Sequence, residues 1–151
     1  MTFFTGEYET KLDAKGRLAL PSRIKAQLPA VEDGGAQELI IRKGFEPCLM
    51  FYPMAEFQKN IFPKISALSE FNEEHRKLKR NLHAGFEAVE LDASGRFLIP
   101  KIMLTYAQLD KDVMLIGCGD MVEAWNRSVY EKHQIKEQSE LSKLAEKYLM
   151  G

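Results

Sequence analysis

The chain has few of the residues from which metal centres and redox pairs are built. Among its 151 residues only two are cysteines, Cys48 and Cys118, and their spacing fits no zinc or thiol-exchange motif. Isolated cysteines of this kind are usually reduced and packed in the core, as we expect here. The three histidines have no ligand motif around them, so we expect no metal and no cofactor.

Long apolar runs are also missing. No segment approaches the roughly 18 apolar residues that a membrane-spanning helix needs, and the opening residues 1–7 lack the basic and apolar regions of a signal peptide. Apolar residues nevertheless make up 45% of the chain, enough for a core, which argues against disorder. We therefore expect a globular cytoplasmic protein with no membrane partner, built as one domain or two very small ones.

Motifs of catalysis are absent as well. Residues 117–119 read Gly-Cys-Gly, which is too short for a phosphate-binding loop, and no nucleophile motif occurs. An enzyme is therefore the weakest functional hypothesis, and we predict that the chain is not one. The net charge of −1 gives no general attraction to nucleic acid, so only a local excess of basic residues could provide it.

The chain does contain an internal repeat. The segment Leu12–Pro21 reads LDAKGRLALP, and Leu91–Pro100 reads LDASGRFLIP. Six of the ten positions are identical, and three of the other four are apolar in both copies. A match of this length indicates a duplication within the chain.

Each copy predicts a β-hairpin. Asp13 and Gly16 suit the first and fourth positions of a type I turn, since the carboxylate can accept backbone amides and glycine tolerates a left-handed conformation. The flanking residues alternate with period two, which places Leu18 inward and Arg17 outward, just past the tip. Pro21 lacks an N–H group, so it ends the strand and suits the first turn of a helix.

The basic residues favour the first copy. Between positions 11 and 25 one acid, Asp13, stands among five basic residues, which are Lys11, Lys15, Arg17, Arg23 and Lys25. The matching stretch of the second copy, 90–104, has Arg96 and Lys101 against Glu90 and Asp92. If a polyanion binds, the first hairpin is the more probable contact.

The remaining pattern extends the duplication to a unit of hairpin, helix, hairpin and helix. After the first hairpin we predict a helix over 22–28, a loop over 30–37, a hairpin over 38–52 and a helix over 54–61. A charged helix then begins near Ser69 or Asn72. The second copy predicts a helix over 100–109, a hairpin over 113–125 and a last helix capped by Asn126, broken near Ser139, that ends at Leu149.

A four-stranded unit this short leaves open edges and an uncovered apolar face, which a second interlocked copy would cover. We therefore predict an α+β, mainly β fold: one pseudo-twofold barrel with peripheral helices. The predicted division of the single domain 1–151 is a first repeat over 6–53, a charged helical connector over 54–82, a second repeat over 85–126 and a C-terminal helix over 127–149.

These motifs resemble the MraZ family, whose members carry two AbrB/SpoVT-type repeats in one chain. The resemblance spans nearly the whole sequence and includes Gly6–Tyr8, Leu12–Arg17, Ala88–Asp92, Gly95–Arg96 and Trp125–Asn126. It implies a swapped-hairpin barrel, ring-like homo-oligomers, and a nucleoid-associated transcriptional regulator. The regulator would bind short direct repeats in the promoter of the division and cell-wall gene cluster.

The family's D-x-x-x-R signature, which the resemblance assigns to DNA contact, falls on Asp13 and Arg17 and again on Asp92 and Arg96. Arg17 follows Gly16, which has no side-chain bulk, and can bind guanine O6 and N7. Asp13 shapes the turn and holds the guanidinium. The other basic residues suit phosphate contacts, and they are Lys11, Lys15, Arg23 and Lys25. Alternatively, Asp13 and Arg17 only brace the hairpin.

Two departures from the family pattern weaken the second copy as a DNA contact. The family usually has arginine four residues after the proline, where this chain has Lys25 in the first copy and Leu104 in the second. The second turn also has Ser94 where a basic or polar residue is common.

Two other surfaces leave alternatives open. The basic run from Arg76 to Arg80 could contact phosphate or simply form a solvated helix face. Leu141, Leu144, Ala145 and Tyr148 form an apolar stripe on the last helix. This stripe would suit a non-enzymatic protein-binding module, antitoxin-like or a ring scaffold, which is the alternative to DNA binding.

Overall fold

The computed structural model describes residues 2–31 and 34–150. Of the loop predicted over 30–37, positions 32 and 33 lie outside the described residues, as do positions 1 and 151. The strands are β1 (Glu7–Lys11), β2 (Arg17–Ala19), β3 (Glu38–Lys43), β4 (Leu49–Pro53), β5 (Glu87–Glu90), β6 (Arg96–Leu98), β7 (Asp112–Gly117) and β8 (Val122–Trp125).

The helices are α1 (Ser22–Ala26), α2 (Met54–Glu56), α3 (Phe62–Ser66), α4 (Glu73–Ala84), α5 (Lys101–Tyr106), α6 (Arg127–His133) and α7 (Gln138–Leu149), with a π-helical segment, Phe57–Ile61, between α2 and α3. The helix predicted to end near position 61 thus continues to Ser66. The break predicted near Ser139 lies between His133 and Gln138. None of the helices in the described ranges is long and apolar enough to cross a membrane.

The helix starts follow from local chemistry. Pro21, Pro53 and Pro100 each stand at the N-cap of a helix, since a residue without an N–H group costs nothing there. The side chain of Asn72 accepts the amide of His75 at the start of α4, which decides between the two predicted caps. Asn126 caps α6 as predicted.

The strands form two antiparallel sheets. Six strands lie in the order β1-β7-β8-β4-β3-β5, and β2 pairs with β6 in a separate two-stranded sheet, which we call the ribbon. The counterparts in the two repeats are β1 and β5, β2 and β6, β3 and β7, and β4 and β8. Exchanging each strand with its counterpart gives the six-stranded order in reverse and leaves the ribbon pair unchanged. The strand arrangement therefore has the predicted pseudo-twofold symmetry.

The two hairpins predicted around the turns at Asp13 and Asp92 are wrong as local strand pairs. Strand β1 pairs with β7 and β5 with β3, so each lies beside a strand of the opposite repeat. Within the first copy the residues on either side of the turn form an isolated bridge, Leu12 with Leu18, and no strand ladder. The hairpins β3–β4 and β7–β8 form as predicted. Turn chemistry determines the reversal of the chain, whereas the pairing of the strands beyond it depends on the whole fold.

The predicted α+β class is confirmed, with two corrections. Helix accounts for 38% of the structure and strand for 27%, so the chain is not mainly β. The large sheet is also not closed into a barrel. Its end strands β1 and β5 do not pair with each other. The ribbon packs against one face of the sheet.

Both faces of the large sheet are buried at its centre, where all five residues of β4 are buried. One face packs against Leu18 and Phe97 of the ribbon and Ile24 and Met103 of the short helices. The other face packs against Phe57 and Val129. Because the ribbon is anchored on the core from one side, its opposite side faces outward.

The two cysteines have different environments, which corrects the prediction that both are core thiols. Cys48 is buried, whereas Cys118 is exposed between β7 and β8. Burial raises the pKa of Cys48 to about 12. Partial desolvation of the thiol and the nearby carboxylate of Glu123 raise the pKa of Cys118 to about 11. Neither thiol is activated as a nucleophile.

Candidate nucleic-acid interface

The first turn is built around the carboxylate of Asp13. The amide of Gly16 donates to the carbonyl of Asp13 at 3.0 Å, and Gly16 has the left-handed φ of 83° that the prediction required. Oδ1 of Asp13 accepts hydrogen bonds from the backbone amides of Lys15 and Arg17, at 2.9 and 3.0 Å. The predicted turn is confirmed, and it presents Lys15 at an exposed tip.

The second turn has the same geometry. The amide of Gly95, whose φ is 76°, donates to the carbonyl of Asp92 at 3.0 Å. Oδ1 of Asp92 accepts the amides of Ser94 and Arg96, both at 2.9 Å. The duplication is therefore a duplication of hydrogen bonds as well as of sequence.

Each aspartate also holds the arginine of its own turn. Nε of Arg17 donates to Oδ2 of Asp13 at 2.7 Å, and Nε of Arg96 donates to Oδ2 of Asp92 at 3.1 Å. Within the described ranges, neither terminal nitrogen of Arg17 donates a hydrogen bond to another group of the protein. The edge of the guanidinium that carries these nitrogens is thus available to a ligand.

The ribbon brings the two turns to one place. Its cross-strand register places Arg17 opposite Leu98 and Ala19 opposite Arg96. Nη1 of Arg96 consequently lies 4.0 Å from Oδ2 of Asp13, so the carboxylate of the first turn faces both guanidinium groups. The side chains of Arg17 and Arg96 are 32% and 36% exposed, which makes them accessible yet held by their partners.

Hydrogen bonding keeps both turn carboxylates ionised. The backbone amide of Arg17 lowers the pKa of Asp13 from its usual value; desolvation opposes this shift, and the guanidinium of Arg17 reinforces it. The backbone amide of Arg96 likewise lowers the pKa of Asp92. At neutral pH each turn therefore holds a negative carboxylate beside a positive guanidinium.

One basic residue, Lys25, follows the first turn in sequence but lies beside the second turn. The side chain of Lys25, in α1, lies over Gly95 of the second turn, where a Cβ would come within 2.4 Å of Cδ of Lys25. Its counterpart Leu104 lies over Gly16 of the first turn, 3.3 Å from the position of a Cβ. Each turn is therefore completed by the helix of the other repeat.

This exchange corrects the expectation that the basic excess of the first copy belongs to the first turn. Lys25 adds its charge beside Asp92 and Arg96. The second turn, which lacks a basic residue at Ser94, thus gains one from the first repeat.

The other predicted contacts lie apart from the turns. Nζ of Lys11 forms an ion pair of 3.1 Å with Asp112, across the β1–β7 pair. Arg23 lines a small cleft of about 240 Å³ together with Phe3 and Tyr8. Of the predicted basic residues, Lys15, Arg17, Lys25 and Arg96 therefore lie at the turns, while Lys11 and Arg23 lie at the side.

Sequence reasoning missed Leu98. This leucine is 55% exposed on the outer face of the ribbon, beside the guanidinium of Arg17 in the register. The same alternation that placed Leu18 inward and Arg17 outward would have placed Leu98 outward, because Phe97 is its inward neighbour. In a sequence, an outward charged residue indicates a binding site, whereas an apolar residue such as Leu98 does not.

Among residues 2–31 and 34–150, no group of three or more histidine, cysteine, aspartate or glutamate side chains could hold a metal ion. The histidines have structural contacts: His75 accepts the amide of Ser69, and the His83 ring packs edge-on against Phe86. What the arrangement can do chemically is recognise a partner through fixed hydrogen-bond donors.

The duplicated turns have counterparts in known proteins. The family model for the MraZ protein, described as antitoxin-like, matches residues 3–81 and again residues 82–149. The chain belongs to the MraZ family. The resemblance derived from the two Asp–Gly turns is thus confirmed.

Relatives within the MraZ family are similar over nearly their whole length. The transcriptional regulator MraZ of Cytophaga hutchinsonii is 47% identical over 149 residues, which cover 99% of this chain and 96% of the relative. The transcriptional regulator MraZ of Christiangramia forsetii is 36% identical over 145 residues, covering 95% and 91%. That of Acetivibrio thermocellus is 35% identical over 147 residues, covering 97% of each.

Proposed function

We propose that this MraZ family member is a sequence-specific DNA-binding regulator of transcription that reads short direct repeats in a promoter. The resemblance suggests the promoter of the division and cell-wall gene cluster. Its relatives are transcriptional regulators, which supports the regulatory role and argues against an enzyme. The observation that carries the proposal is the pair Arg17 and Arg96, which share the outer face of the ribbon and are each held by an aspartate.

The recognition step follows from the width of the ribbon and the chemistry of guanidinium. A two-stranded ribbon fits the major groove of B-DNA, where guanine presents O6 and N7 as a pair of acceptors. Asp13 occupies Nε of Arg17 and fixes the plane of the guanidinium, which leaves its terminal nitrogens for that pair. Arg96 would act in the same way from the other half of the ribbon.

Basic residues around the ribbon would position it on the phosphates. Lys15 projects from the first tip and Lys25 lies over the second, while Lys11 and Arg23 would reach the backbone further out. About three to five such contacts give weak, strongly salt-dependent binding by one chain. A ring-like homo-oligomer that presents several ribbons to tandem sites would increase the affinity through effective concentration.

The geometry of the assembly follows from this requirement. Neighbouring subunits in a ring are related by a rotation that is not a local twofold, so they suit direct repeats better than palindromes. Repeats about one helical turn apart, or about 10 bp, would keep each ribbon on the same side of the DNA. Such a regulator would act in the cytoplasm, associated with the nucleoid.

The division of the chain is part of the proposal. It is a single pseudo-symmetric domain over 1–151, with repeats over 6–53 and 85–126, a helical connector over 54–82 and a C-terminal helix over 127–149. The exchange of β1 and β5 between the repeats supports one domain rather than two.

Selection of bound fragments from random double-stranded DNA, at two salt concentrations, tests the proposal. We expect an enriched motif that recurs with a spacing near a helical turn, and weaker retention at the higher salt concentration. The particle mass, measured in parallel by light scattering, should be a multiple of 17.3 kDa. The Arg127→Ala variant removes another exposed, ion-paired arginine. It serves as the charge-matched control for Arg17→Ala, which removes the arginine of the first turn.

The second candidate function is a non-enzymatic protein-binding module. It is favoured by helix α7, whose apolar side chains Leu141, Leu144 and Tyr148 are 47%, 39% and 70% exposed. A scaffold of this kind would enrich no DNA motif, and its retention on DNA would not depend on salt. Either result would reject the regulatory proposal.

A further inference from the structure

The outer face of the ribbon consists of four side chains. Residues directly opposite each other in an antiparallel pair point to the same side, and so do residues two apart along a strand. Arg17 therefore shares this face with Leu98, and Arg96 shares it with Ala19. The inward residues Leu18 and Phe97 are 0% and 1% exposed, so the face is the outward one.

The pseudo-twofold symmetry fails at one position of this face. It relates Arg17 to Arg96 and Ala19 to Leu98, so the arginines match while the apolar residues differ in size. Leu98 is 55% exposed, and the equivalent position in the first repeat is occupied by the smaller Ala19. Leu98 therefore gives one half of the ribbon a projecting apolar surface that the other half lacks.

Leu98 is held close to the first turn. Its Cδ1 lies 3.9 Å from the position of a Cβ on Gly16, beside Cδ1 of Leu104. The amide of Ile99 donates to the carbonyl of Gly16 at 3.0 Å, which extends the pairing on this side. Packing and hydrogen bonding thus fix the leucine in line with Arg17, as a group that determines specificity must be fixed.

We propose that Leu98 is a specificity-determining residue which contacts the 5-methyl group of a thymine beside the guanine bound by Arg17. In the major groove only thymine presents a methyl group, and apolar side chains recognise it. Cross-strand neighbours have Cβ atoms about 4.5–5.5 Å apart, and successive bases of one strand lie about 3.4 Å apart. The two side chains can therefore read neighbouring base pairs.

This inference rests on the proposed DNA recognition and adds a consequence to it. Arginines at both halves of a twofold ribbon would read a palindrome, whereas a leucine and an alanine at the symmetry-equivalent positions make the two halves unequal. A single ribbon then prefers one direction along the DNA. This preference is what a site composed of direct repeats requires.

The test compares thymine with deoxyuridine, which lacks only the 5-methyl group. A fragment selected from random DNA by the wild-type protein is synthesised in both forms, and binding is measured by fluorescence anisotropy. We expect the wild type to bind the deoxyuridine form about three- to tenfold more weakly. Leu98→Ala should bind both forms equally, near the wild-type affinity for the deoxyuridine form.

Leu78→Ala is the matched control, because it removes the same side chain at 49% exposure from helix α4. It should retain the discrimination of the wild type. Thermal unfolding followed by circular dichroism verifies that both variants fold, and light scattering verifies their particle mass. A Leu98→Val variant, which shortens the side chain less, should keep part of the discrimination.

Three outcomes overturn the inference. Equal binding of both forms by the wild type would show that no methyl group is read, although DNA recognition itself would stand. Unchanged discrimination in Leu98→Ala would assign the methyl contact elsewhere. A lower particle mass of Leu98→Ala would place the leucine between two copies of the chain. If the selection yields no fragment at all, the proposed function fails as well.

Discussion

Asp13 has two separate roles, one for each carboxylate oxygen. Oδ1 accepts two backbone amides and closes the turn, while Oδ2 holds the guanidinium of Arg17. The sequence alone leaves bracing of the turn and presentation of the arginine as alternatives. The structure shows that bracing is real and that it leaves the far edge of the guanidinium available. Bracing and DNA recognition are therefore compatible.

Replacing Arg17 tests the recognition step. Arg17→Ala should weaken binding to a selected DNA fragment by about 1–3 kcal/mol per ribbon, and more in an assembly with several ribbons. Arg17→Lys is the matched control, since it keeps the charge but loses the paired donors, and should recover only the non-specific part. Anisotropy titrations of the folded variants measure both. Wild-type affinity in Arg17→Ala would contradict the assignment.

Lys15 should contribute affinity without specificity. Its side chain lies at the exposed tip, where a flexible ammonium group can meet a phosphate. Lys15→Ala is expected to weaken binding to all sequences alike and to reduce the slope of log affinity against log salt by about 1. Titrations of a selected and a scrambled fragment at several salt concentrations provide the measurement. A loss confined to the selected fragment would make Lys15 a base contact instead.

The turn aspartates should make stability depend on pH. Their folded pKa values lie below the ordinary 3.8, so their ionised forms stabilise the fold above pH 3.8. This contribution is lost as the pH falls through the folded pKa values. The Asp13→Asn, Asp92→Asn double variant keeps an oxygen acceptor in each turn but no charge, so it isolates the charge effect.

We expect the wild type to have a higher Tm than this double variant at pH 7, and the difference to shrink as the pH falls below 3.8. Calorimetry at both ends of the range measures it. A difference that stays constant, or grows, with decreasing pH would show that the carboxylates do not stabilise the turns by charge.

At the scale of elements, the ribbon and the short helices form composite units that cross between the repeats. Helix α1 follows the first turn in sequence, yet its Lys25 lies over the second turn, and α5 places Leu104 over the first. A substitution in one repeat should therefore change the surface of the other. This exchange also explains why the glycines of both turns are needed: a helix side chain lies over each.

Gly95→Ala tests this crossing. The left-handed φ of 76° alone should cost about 1–2 kcal/mol of stability, and the new Cβ would displace Lys25 from the second turn. Gly119→Ala is the control, because Gly119 has a φ of 80° and a Cβ added there would have no neighbour within 4 Å. Both variants should lose similar stability in urea unfolding, but only Gly95→Ala should also lose DNA affinity. Equal DNA affinity in the two variants would separate Lys25 from the interface.

For the whole molecule, the exchange of edge strands makes the two repeats interdependent. Strand β1 depends on β7 for its hydrogen bonds, and β5 depends on β3, so neither repeat contains the partner of its own edge strand. The central strands β4 and β8 pair across the pseudo-twofold axis and close the shared core. A fold connected in this way should unfold as a unit.

We expect a single calorimetric transition for the full chain, with equal calorimetric and van't Hoff enthalpies for its unfolding. A fragment comprising residues 1–84 should have no folded monomer, because β1 would lack its neighbour and one sheet face would be uncovered. Analytical ultracentrifugation and circular dichroism of the fragment test this. A folded monomeric fragment would show that the repeats are two independent domains.

Much of the local structure was predictable from sequence. The turns at Asp13 and Asp92, the helix starts after Pro21, Pro53 and Pro100, and the inward position of Leu18 all depend on residues within a few positions of each other. Turn hydrogen bonds, proline geometry and side-chain alternation act over that range, so the sequence contains them directly. The duplication and the family also follow from the ten-residue phrase.

The tertiary structure decided the partners of the strands and the neighbours of the turns. A turn reverses the chain, but β1 pairs with β7 and β2 with β6, because pairing across the repeats joins both halves around one shared apolar core. The same reason places Lys25 beside Arg96 and Leu98 beside Arg17, across a distance in sequence that no local pattern spans. Sequence determined which side chains point outward, and burial of the shared core determined which of them meet.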